Sequence, residues 1–422
     1  MFEERRVTHS LDQIIDRNQT NSAKWEFIFR DGEAEYTGMS QDVLGQDQVL
    51  PLWVADMDFH SPQAVIDALT RRAQHGVFGY TFPTDAYFQA IINWMDRRHN
   101  WQVEKEWILT TPGVIPAVAM MVQTYTEPGD GVLLQMPVYH PFHHAIENNN
   151  RVIVHNTLKV SDGYYEMDFE DLEASAKEPS VTMAILCSPH NPIGRVWTPD
   201  ELRRFGQICY ENDVLVISDE IHHDLIMSWA AFTPYGIVNA DLMDKAVVCT
   251  APSKTFNLPG LKTSNVFVQN PELREEFEKT MARNGLHGIN AFGLVALQTA
   301  YESGDVWLEN VLAYIEENYY FLKSFVAEHM PQVGVTQLEG TYLAWLDCRY
   351  LGLDGETLWQ KLMDEARVNL NNGAMFGEEG DGYLRVNIAC PRPILQEALA
   401  RMAKVLCFSN LPAISSEFQD LI

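Results

Sequence analysis

The sequence predicts an α/β protein: a large domain with a mostly parallel, seven-stranded-type sheet sandwiched by helices, and a smaller α+β domain. Short apolar, β-branched runs alternate with amphipathic helical patterns through the middle of the chain. Buried strands separated by helices are typical of parallel sheets with helices on both faces. After about residue 285 the pattern changes to a long helix followed by strands mixed with helices. We therefore assign residues 48–285 to the large domain and residues 1–47 and 286–422 to the small domain.

Apolar spacing places the individual elements along the chain. Short apolar runs predict the strands of the large sheet at 132–135, 152–156, 181–187, 214–218, 246–250 and 264–268. Residues 199–210 have the spacing of an amphipathic helix, with Thr198 as its N-cap. Residues 305–328 predict a long helix of the small domain. The strands predicted for that domain lie at 333–338, 343–348 and 384–388.

Composition and charge limit the classes of partner. The 422 residues include 30 Lys and Arg against 58 Asp and Glu, which gives a formal net charge of −28. A surface this acidic argues against nucleic acid and anionic membranes as partners. No apolar stretch approaches the ~20 residues of a membrane span, and the charged N-terminal run lacks the apolar core of a secretory signal. The absence of a CxxC pair favours reduced thiols of a cytoplasmic protein for the cysteines at 187, 209, 249, 348, 390 and 407.

Polar residues follow three consecutive strands of the predicted sheet. The segments are 188–191, 219–222 and 253–254, with the sequences Ser-Pro-His-Asn, Asp-Glu-Ile-His and Ser-Lys. Ligands of open α/β sheets bind beyond the carboxyl ends of the strands. Packing alone would not leave potential chemical groups at three successive strand ends. We therefore predict an active site there.

Lys254 lies at the mouth of an apolar strand, with small residues before it and Gly260 after it. In a desolvated pocket near another cation such as Lys262, the pKa of a lysine falls, and its neutral amine can add to a carbonyl to form a Schiff base. The alternative is an ordinary surface lysine at a strand end. The setting makes Lys254 a candidate nucleophile.

Two further residues at strand ends suit a heterocyclic ligand. Asp219 closes an apolar strand, where a carboxylate is costly unless it is paired, and a cationic ring nitrogen would pair with it. Its alternative role is the N-cap of a following helix. Asn191 lies in a Pro-His-Asn-Pro turn, from which its amide can also donate to a phenolate oxygen.

Two loops offer contacts for a phosphate and for an aromatic ring. Gly113 leads into an apolar helical run, and the free amides of a helix N-terminus suit a phosphate. Tyr139 follows the strand at 132–135 and can stack on a ring. Many helices begin with such a glycine turn, and the alternative for Tyr139 is a loop aromatic in the core.

Arg385 lies within the strand predicted at 384–388, where an inward arginine needs an anion. A planar carboxylate fits its guanidinium bidentately, and a structural ion pair is the alternative. Together the candidate groups supply a Schiff-base lysine, a carboxylate for a ring nitrogen, a donor for a ring oxygen, a phosphate cradle, a stacking aromatic and a carboxylate clamp. That set matches the cofactor pyridoxal 5′-phosphate and an amino-acid substrate.

Motifs spread over nearly the whole chain carry a family resemblance. They are WVADMDF (53–59), GYT (79–81), TPGV (111–114), PVYHP (137–141), SPHNPIGRVW (188–197), SDEIH (218–222), APSKTF (251–256), TYLAWLD (341–347) and RVNIACPR (385–392). With these motifs the chain resembles the fold-type-I pyridoxal-phosphate enzymes of the aspartate aminotransferase superfamily. Within that superfamily it is most similar to the cystathionine β-lyase or C–S lyase group, which includes maltose-regulon modulator-like proteins. The strings DMDF, DEIH and IACPR are not general aminotransferase features, so they indicate the lyase group.

The resemblance implies a role for each candidate residue. The implied catalytic residues are Lys254 for the cofactor aldehyde, Asp219 for the ring nitrogen and Tyr139 for stacking on the ring. The residues implied at the ring oxygen are Asn191 and His222. Those implied at the phosphate are Gly113, Val114, Ile115, Ser253, Lys262 and Tyr80. Those implied to bind the substrate are Arg385, Asn191 and Tyr80.

Three of these positions bear on the assembly of the protein or differ from the pattern of related enzymes. Tyr80 would reach the phosphate of the partner subunit, so the resemblance implies a homodimer with shared active sites. His222 stands where the broader aminotransferases have a tyrosine. Lys262 stands where many relatives have an arginine, and lysine keeps the charge but loses the fork.

The reaction that the resemblance implies is the elimination of a thiol from L-cystathionine or a related cysteine S-conjugate, which gives pyruvate and ammonia. An amino-acid aminotransferase is the close alternative, because both reactions use the same residues. A metal hydrolase built on His140, His143 and His144, or on the acidic and histidine residues of 220–224, is a rival from another chemistry. Neighbours along one loop cannot all face one ion, so we predict no metal. A regulator protein is an additional partner that the resemblance allows.

Overall fold

The computed structural model describes residues 11–30 and 33–406. Its strands are β1 (Phe27–Arg30), β2 (Glu33–Tyr36), β3 (Leu50–Pro51), β4 (Ile108–Thr111), β5 (Gly131–Met136), β6 (Val152–Thr157), β7 (Lys159–Ser161), β8 (Tyr164–Glu166), β9 (Val181–Cys187), β10 (Leu215–Asp219), β11 (Ala246–Thr250), β12 (Ser264–Phe267), β13 (Gly334–Val335), β14 (Leu343–Asp347), β15 (Val368–Asn369), β16 (Asn371–Asn372) and β17 (Tyr383–Asn387). Its α-helices are α1 (Gln63–Gln74), α2 (Asp85–His99), α3 (Val114–Tyr125), α4 (Pro141–Glu147), α5 (Phe169–Ala176), α6 (Pro199–Glu211), α7 (Tyr235–Val238), α8 (Pro252–Thr255), α9 (Pro271–Arg283), α10 (Ala291–Ser303), α11 (Asp305–His329), α12 (Gly355–Lys361) and α13 (Arg392–Leu406).

Seven strands form the central sheet in the order β4-β12-β11-β10-β9-β5-β6. Strand β12 runs antiparallel to both of its neighbours, and the other pairings are parallel. Every residue of β5, β10 and β11 is buried, as expected for strands covered on both faces. The sheet confirms the predicted fold class, a mostly parallel seven-stranded-type sheet sandwiched by helices.

The prediction misses one strand of this sheet. Strand β4 has the sequence Ile-Leu-Thr-Thr and pairs with β12. Thr110 and Thr111 complete this strand, and α3 begins at Val114, directly after the predicted glycine turn at Gly113. The remaining six strands agree with the predicted runs to within one residue at each end.

Helix α6 begins at the predicted N-cap and shows how the sequence fixes a helix end. The hydroxyl of Thr198 accepts a hydrogen bond from the amide of Glu201 at 3.2 Å, and the Glu201 carboxylate accepts one from the amide of Thr198 at 2.8 Å. This reciprocal capping box satisfies two amides that have no partner within the helix. The long helix α11 was also predicted, and it buries one apolar stripe. That stripe includes Leu308, Val311, Ile315, Tyr319, Leu322 and Val326.

The second sheet is antiparallel, has the order β13-β14-β17-β16 and carries Arg385 on β17. Strand β13 is shorter than the predicted run of 333–338. The amide of Leu338 turns away from the sheet and donates to the hydroxyl of Tyr319 on α11 at 3.2 Å, which ends the pairing.

N-terminal residues pack against the C-terminal part of the chain. Arg401 of α13 donates hydrogen bonds to the main-chain oxygens of Leu44, Gly45 and Gln48 at 2.8–2.9 Å. The assignment of residues 1–47 to the small domain stays a prediction. The domain boundaries near residues 47 and 285 stay a prediction.

Two further observations concern the described residues alone. None of their helices combines the length and the apolar character that a bilayer crossing requires. Their cysteines are free and buried, and burial raises the pKa of each thiol. Cys407 and the N-terminal run at 1–10 lie outside the described residues.

Candidate active site

A cavity of about 190 Å³ lies at the carboxyl ends of the central strands, where ligands bind in open α/β sheets. We call it the lysine cavity. It is lined by Ala55, Pro112, Gly113, Val114, Ile115, Pro116, Tyr139, Cys187, Asn191, Asp219, Ile221, His222, Ser253, Lys254, Pro259, Lys262 and Thr263. All but two of the predicted site residues therefore meet in one place. The two exceptions are Arg385, which borders the cavity through Asn191, and Tyr80.

Lys254 is held in the short helix α8, directly after strand β11. Its Nζ donates a hydrogen bond to the main-chain oxygen of Ala55 at 2.7 Å. Burial lowers the pKa of Lys254 to about 8; the charges of Arg385 and Lys262 add to this effect, and Asp56 opposes it. The amine therefore exchanges its proton close to neutral pH, which a nucleophile or general base requires.

The main-chain oxygen of Ala55 has a second donor. The hydroxyl of Tyr342 binds it at 2.8 Å. The side-chain amide of Asn387 fixes the same segment by donating to the main-chain oxygens of Val54 and Asp56 at 2.6 and 2.7 Å. Sequence reasoning missed Ala55, because a main-chain carbonyl acts in the same way whatever its side chain.

Asp219 ends strand β10 and is 3% exposed. One carboxylate oxygen accepts a hydrogen bond from the amide of Ile221 at 3.0 Å. Burial raises the pKa of Asp219 to about 7, although that hydrogen bond and the charge of Lys254 lower it. Residues 221–224 form a turn, so the alternative role of Asp219 as the N-cap of a following helix is wrong. The carboxylate lines the cavity, where a cationic group of a ligand would stabilise its charge.

Arg385 is a buried cation whose hydrogen-bond partners are all neutral. Its guanidinium donates to Asn191 Oδ1 at 2.9 Å, to the main-chain oxygen of Trp53 at 2.9 Å and to Asn371 Oδ1 at 2.6 Å. Its Nε has no hydrogen-bond partner among residues 11–30 and 33–406, and its Cζ lies 4.8 Å from the centroid of the Phe376 ring. Burial lowers the pKa of Arg385 to about 10, so it stays charged at neutral pH.

The surroundings of Arg385 bear on its alternative role, a structural ion pair. Within the described part of the chain, no carboxylate forms a salt bridge with Arg385, so that alternative has no support there. A buried charge without a counter-ion is costly, which makes the position suitable for an anionic ligand. Because a guanidinium only donates, Asn191 binds it through oxygen and keeps its NH₂ group as a donor. Asn371 was not predicted.

His222 and Tyr139 form a further part of the cavity wall. Burial lowers the pKa of His222 well below its ordinary value, and the charges of Lys254 and Arg385 lower it further. The imidazole is therefore neutral at neutral pH, and its buried Nδ1 finds no hydrogen-bond partner in the part of the chain that the structure describes. The ring of Tyr139 packs edge-on against Phe142 at 5.8 Å, with part of its surface accessible. His222 can therefore form a hydrogen bond to a ligand, and Tyr139 can contact one with its ring.

A further part of the cavity wall carries groups that suit an anion. Gly113 has φ 141° before α3, a conformation that disfavours residues with a side chain. The first amides of a helix have no partner within it, and Pro116 carries no amide proton, so Val114 and Ile115 supply the free N–H groups. Lys262 adds a positive charge to the positive end of the α3 dipole.

These features test whether the residues fit pyridoxal 5′-phosphate. Among the described residues, the buried carboxylate of Asp219 forms no salt bridge and His222 Nδ1 has no hydrogen-bond partner. The N-terminus of α3 and the charge of Lys262 suit an anion, and the lowered pKa of Lys254 favours loss of its proton. A phosphorylated pyridine aldehyde carries the matching ring nitrogen, ring oxygen, phosphate and carbonyl. The residues fit the predicted cofactor.

The structure keeps Tyr80 apart from the rest of the site. Its exposure is 104%, and it lies on a loop whose other large apolar residues are also exposed. Those residues are Val77, Phe78 and Phe82, at 64%, 61% and 77%. Tyr80 does not line the lysine cavity of its own chain.

The histidine and acidic residues of 220–224 divide between two places in the structure. His222 faces the lysine cavity, and the Glu220 carboxylate accepts a hydrogen bond from the amide of Tyr235 at 2.8 Å. Across the described residues, one group of three has its ligand atoms within 4.8 Å of one another: His99, His223 and Asp224. The Asp224 carboxylate there already accepts hydrogen bonds from Trp94 Nε1 and from the hydroxyl of Thr255.

Comparison with known proteins adds independent information. A family model described as aminotransferase class I and II matches residues 47–402. The chain is 41% identical to cystathionine beta-lyase PatB of Bacillus subtilis (strain 168), over 94% of this chain and 100% of that protein. It is 32% identical to protein MalY of Escherichia coli (strain K12), over 94% of this chain and 98% of MalY. The crystal structure of cystalysin from Treponema denticola, which contains a pyridoxal 5′-phosphate cofactor, matches with a TM-score of 0.87 and 36% identity, over 94% of this chain and 99% of that one.

Proposed function

The chain belongs to the aminotransferase class I and II family, and from this membership we propose that it is a pyridoxal-phosphate-dependent C–S β-lyase of the cystathionine β-lyase type. It converts L-cystathionine and water to pyruvate, ammonia and homocysteine, or acts likewise on a related cysteine S-conjugate. The observation that carries the proposal is the lysine cavity, where an amine with a pKa of about 8 meets a buried carboxylate and an anion cradle. The likeness to a cystathionine β-lyase along nearly its whole length selects elimination among the reactions of the family.

Each side of the cavity would hold one part of the cofactor. Asp219 would pair with the protonated ring nitrogen, Asn191 and His222 would face the ring oxygen, and Tyr139 would contact the ring. The phosphate would lie against Gly113, Val114, Ile115, Ser253 and Lys262. When bound, pyridoxal 5′-phosphate supplies an electron-withdrawing ring that stabilises negative charge at the substrate Cα.

The chain's own residues orient the substrate and move its proton. Arg385 binds the α-carboxylate, which fixes Cα relative to Lys254. Lys254 Nζ then takes the proton from Cα, and the main-chain oxygen of Ala55 accepts a hydrogen bond from the resulting ammonium. The C–S bond breaks at Cβ and the thiolate leaves.

A homodimer with shared active sites is part of the proposal. The exposed aromatic loop around Tyr80 supports it, because contiguous exposed apolar side chains mark interaction surfaces. Tyr80 would reach the phosphate of the partner subunit's cofactor. We also propose a cytoplasmic location, which suits buried free thiols. A regulator protein as an additional partner stays a prediction.

An aminotransferase is the second candidate, because the matching family model describes that activity and the same residues serve it. The two reactions differ in their products. Elimination releases a thiol and pyruvate without a second substrate, whereas amino transfer needs a 2-oxo acid and leaves the C–S bond intact.

A steady-state assay with L-cystathionine tests the proposal. We expect equal amounts of thiol and pyruvate, loss of both in the Lys254→Ala variant, and full activity in Lys279→Ala, a control at a lysine whose side chain is 57% exposed. Activity that survives Lys254→Ala would overturn the role of Lys254. Transfer to a 2-oxo acid without thiol release would establish the aminotransferase instead.

A further inference from the structure

We propose that a second cavity receives the sulfur-bound substituent of the substrate and selects apolar groups, with preference for a cationic over an anionic end. This cavity, of about 610 Å³, is lined by Phe29, Trp53, Trp359, Met363, Leu370 and Met375 among others, and we call it the thioether groove. The proposal rests on the proposed function and names the class of S-conjugate that the site accepts.

The thioether groove begins where the substrate carboxylate would bind. One side of the Arg385 guanidinium donates to Asn191, which lines the lysine cavity. The other side donates to the main-chain oxygen of Trp53 and to Asn371 Oδ1, which both line the groove. A single buried side chain therefore contacts the walls of both cavities. A substrate anchored at Arg385 has its Cβ substituent only a few bonds away from the groove.

The wall of the groove suits alkyl and aryl thioethers. The rings of Trp53 and Phe29 pack edge-on at 5.5 Å, and Phe29 and Met375 are each 44% exposed. Trp359 is fixed by a hydrogen bond from its Nε1 to the main-chain oxygen of Leu370 at 2.9 Å. Aromatic and methionine side chains bind apolar and sulfur-containing groups well. Such exposed apolar surface in a concave site is typical of ligand binding.

The rim of the groove carries acidic side chains, and the lining residues that the structure describes include no lysine or arginine. The carboxylate of Glu356 accepts hydrogen bonds from Gln360 at 2.8 Å and Asn372 at 3.4 Å, which keep it beside the groove. A negative rim attracts a substituent that ends in an ammonium group and repels one that ends only in a carboxylate. The groove therefore selects the substrate's sulfur-bound substituent by its charge as well as by its apolar surface.

The test compares kcat/KM for four S-conjugates of L-cysteine that carry methyl, benzyl, 2-aminoethyl or carboxymethyl groups. We expect the benzyl compound to exceed the methyl compound by at least about tenfold, in line with the discrimination of apolar pockets. Trp359→Ala should reduce this ratio about tenfold. Glu356→Gln should lower the ratio of aminoethyl to carboxymethyl activity about threefold.

Trp229→Ala is the matched control, because Trp229 is also half-buried and donates to a main-chain leucine oxygen at 2.9 Å, but outside the groove. It should leave both ratios unchanged. If Trp359→Ala does not fold, Met375→Glu, at an exposed position, should reduce the benzyl-to-methyl ratio in its place. Equal ratios in the groove variants and the control would overturn the proposal while thiol and pyruvate release still supports the lyase.

A binding measurement separates this proposal from the lyase activity itself. Calorimetric titration of the Lys254→Ala protein should give a lower Kd for S-benzyl-L-cysteine than for S-methyl-L-cysteine. The double variant Lys254→Ala/Trp359→Ala should bind the two compounds with the same Kd. This result would support the groove even if no S-conjugate released a thiol, in which case the lyase proposal alone would fail. Equal affinity for the two compounds would overturn the groove.

Discussion

Replacing Asp219 by asparagine should stabilise the cofactor-free protein, although it removes a residue assigned to catalysis. Burial raises the pKa of Asp219 from 3.8 to about 7. Between these values the folded protein keeps a proton that the unfolded chain has released, so the free energy of unfolding falls as the pH rises. Asparagine keeps the size of the side chain and carries no charge, so the variant escapes this loss.

The size of the effect follows from the two pKa values. At about 1.36 kcal/mol per pH unit, a neutral side chain at this position avoids a penalty of ~2 kcal/mol at pH 5 and ~4 kcal/mol at pH 8. The advantage of Asp219→Asn over the wild type should therefore grow by roughly 2–3 kcal/mol between the two pH values.

Urea unfolding of the cofactor-free proteins at pH 5 and pH 8 measures this difference. Asp67→Asn, at an exposed position of α1, is the control and should show the same stability change at both pH values. Catalysis should change in the opposite direction to stability. The Asp219→Asn variant lacks the partner of the cofactor's ring nitrogen, so its kcat should be about 10- to 100-fold lower than that of the wild type. A variant that is less stable at pH 8, or whose advantage does not change with pH, would refute the reasoning.

Three further outcomes are expected. Arg385→Lys keeps the charge but loses the fork, so KM for the amino-acid substrate should rise about 10- to 100-fold in steady-state kinetics, and an unchanged KM would contradict the carboxylate site. Because burial lowers the pKa of Lys254 to about 8, the rate of cofactor uptake, measured by stopped-flow absorbance, should rise with pH and have its midpoint near that value. Tyr342→Phe removes a second donor from the main-chain oxygen of Ala55, which strengthens the hydrogen bond from the Lys254 ammonium, so the midpoint should shift to higher pH. A shift to lower pH would argue against this hydrogen bond. Thr198→Ala removes the cap of α6 and should lower the free energy of unfolding by about 1 kcal/mol in urea, and an equal stability would show that the cap contributes nothing.

The strands of the central sheet could be predicted because burial on both faces leaves an uninterrupted apolar run. Strands β9 and β11 agree with the predicted runs to the residue. Strand β4 was missed, since two of its four residues are threonines beside a helix start. Strand β16 has only two residues, Asn371 and Asn372, and leaves no periodicity to detect. Its pairing with β17 is what brings Asn371 to Arg385.

The same contrast holds at the candidate site. Lys254, Asp219 and Asn191 could be found because each lies at or just after the end of a strand, and the topology brings strand ends to one edge of the sheet. Ala55 could not be found, because its main-chain oxygen meets Lys254 across 199 residues of sequence and carries no mark in the side chain. The roles of these residues stay predictions, as does the contact of Tyr80 with a second subunit.

Mass spectrometry after borohydride reduction tests the central claim most directly. The purified protein should absorb in the near-violet, and reduction with borohydride should remove this band and add the mass of the reduced pyridoxyl phosphate to the peptide that contains Lys254. The Lys254→Ala variant should gain no such mass, while Lys279→Ala should behave like the wild type. A colourless protein that takes up no pyridoxal 5′-phosphate, or an added mass on another lysine, would contradict the account.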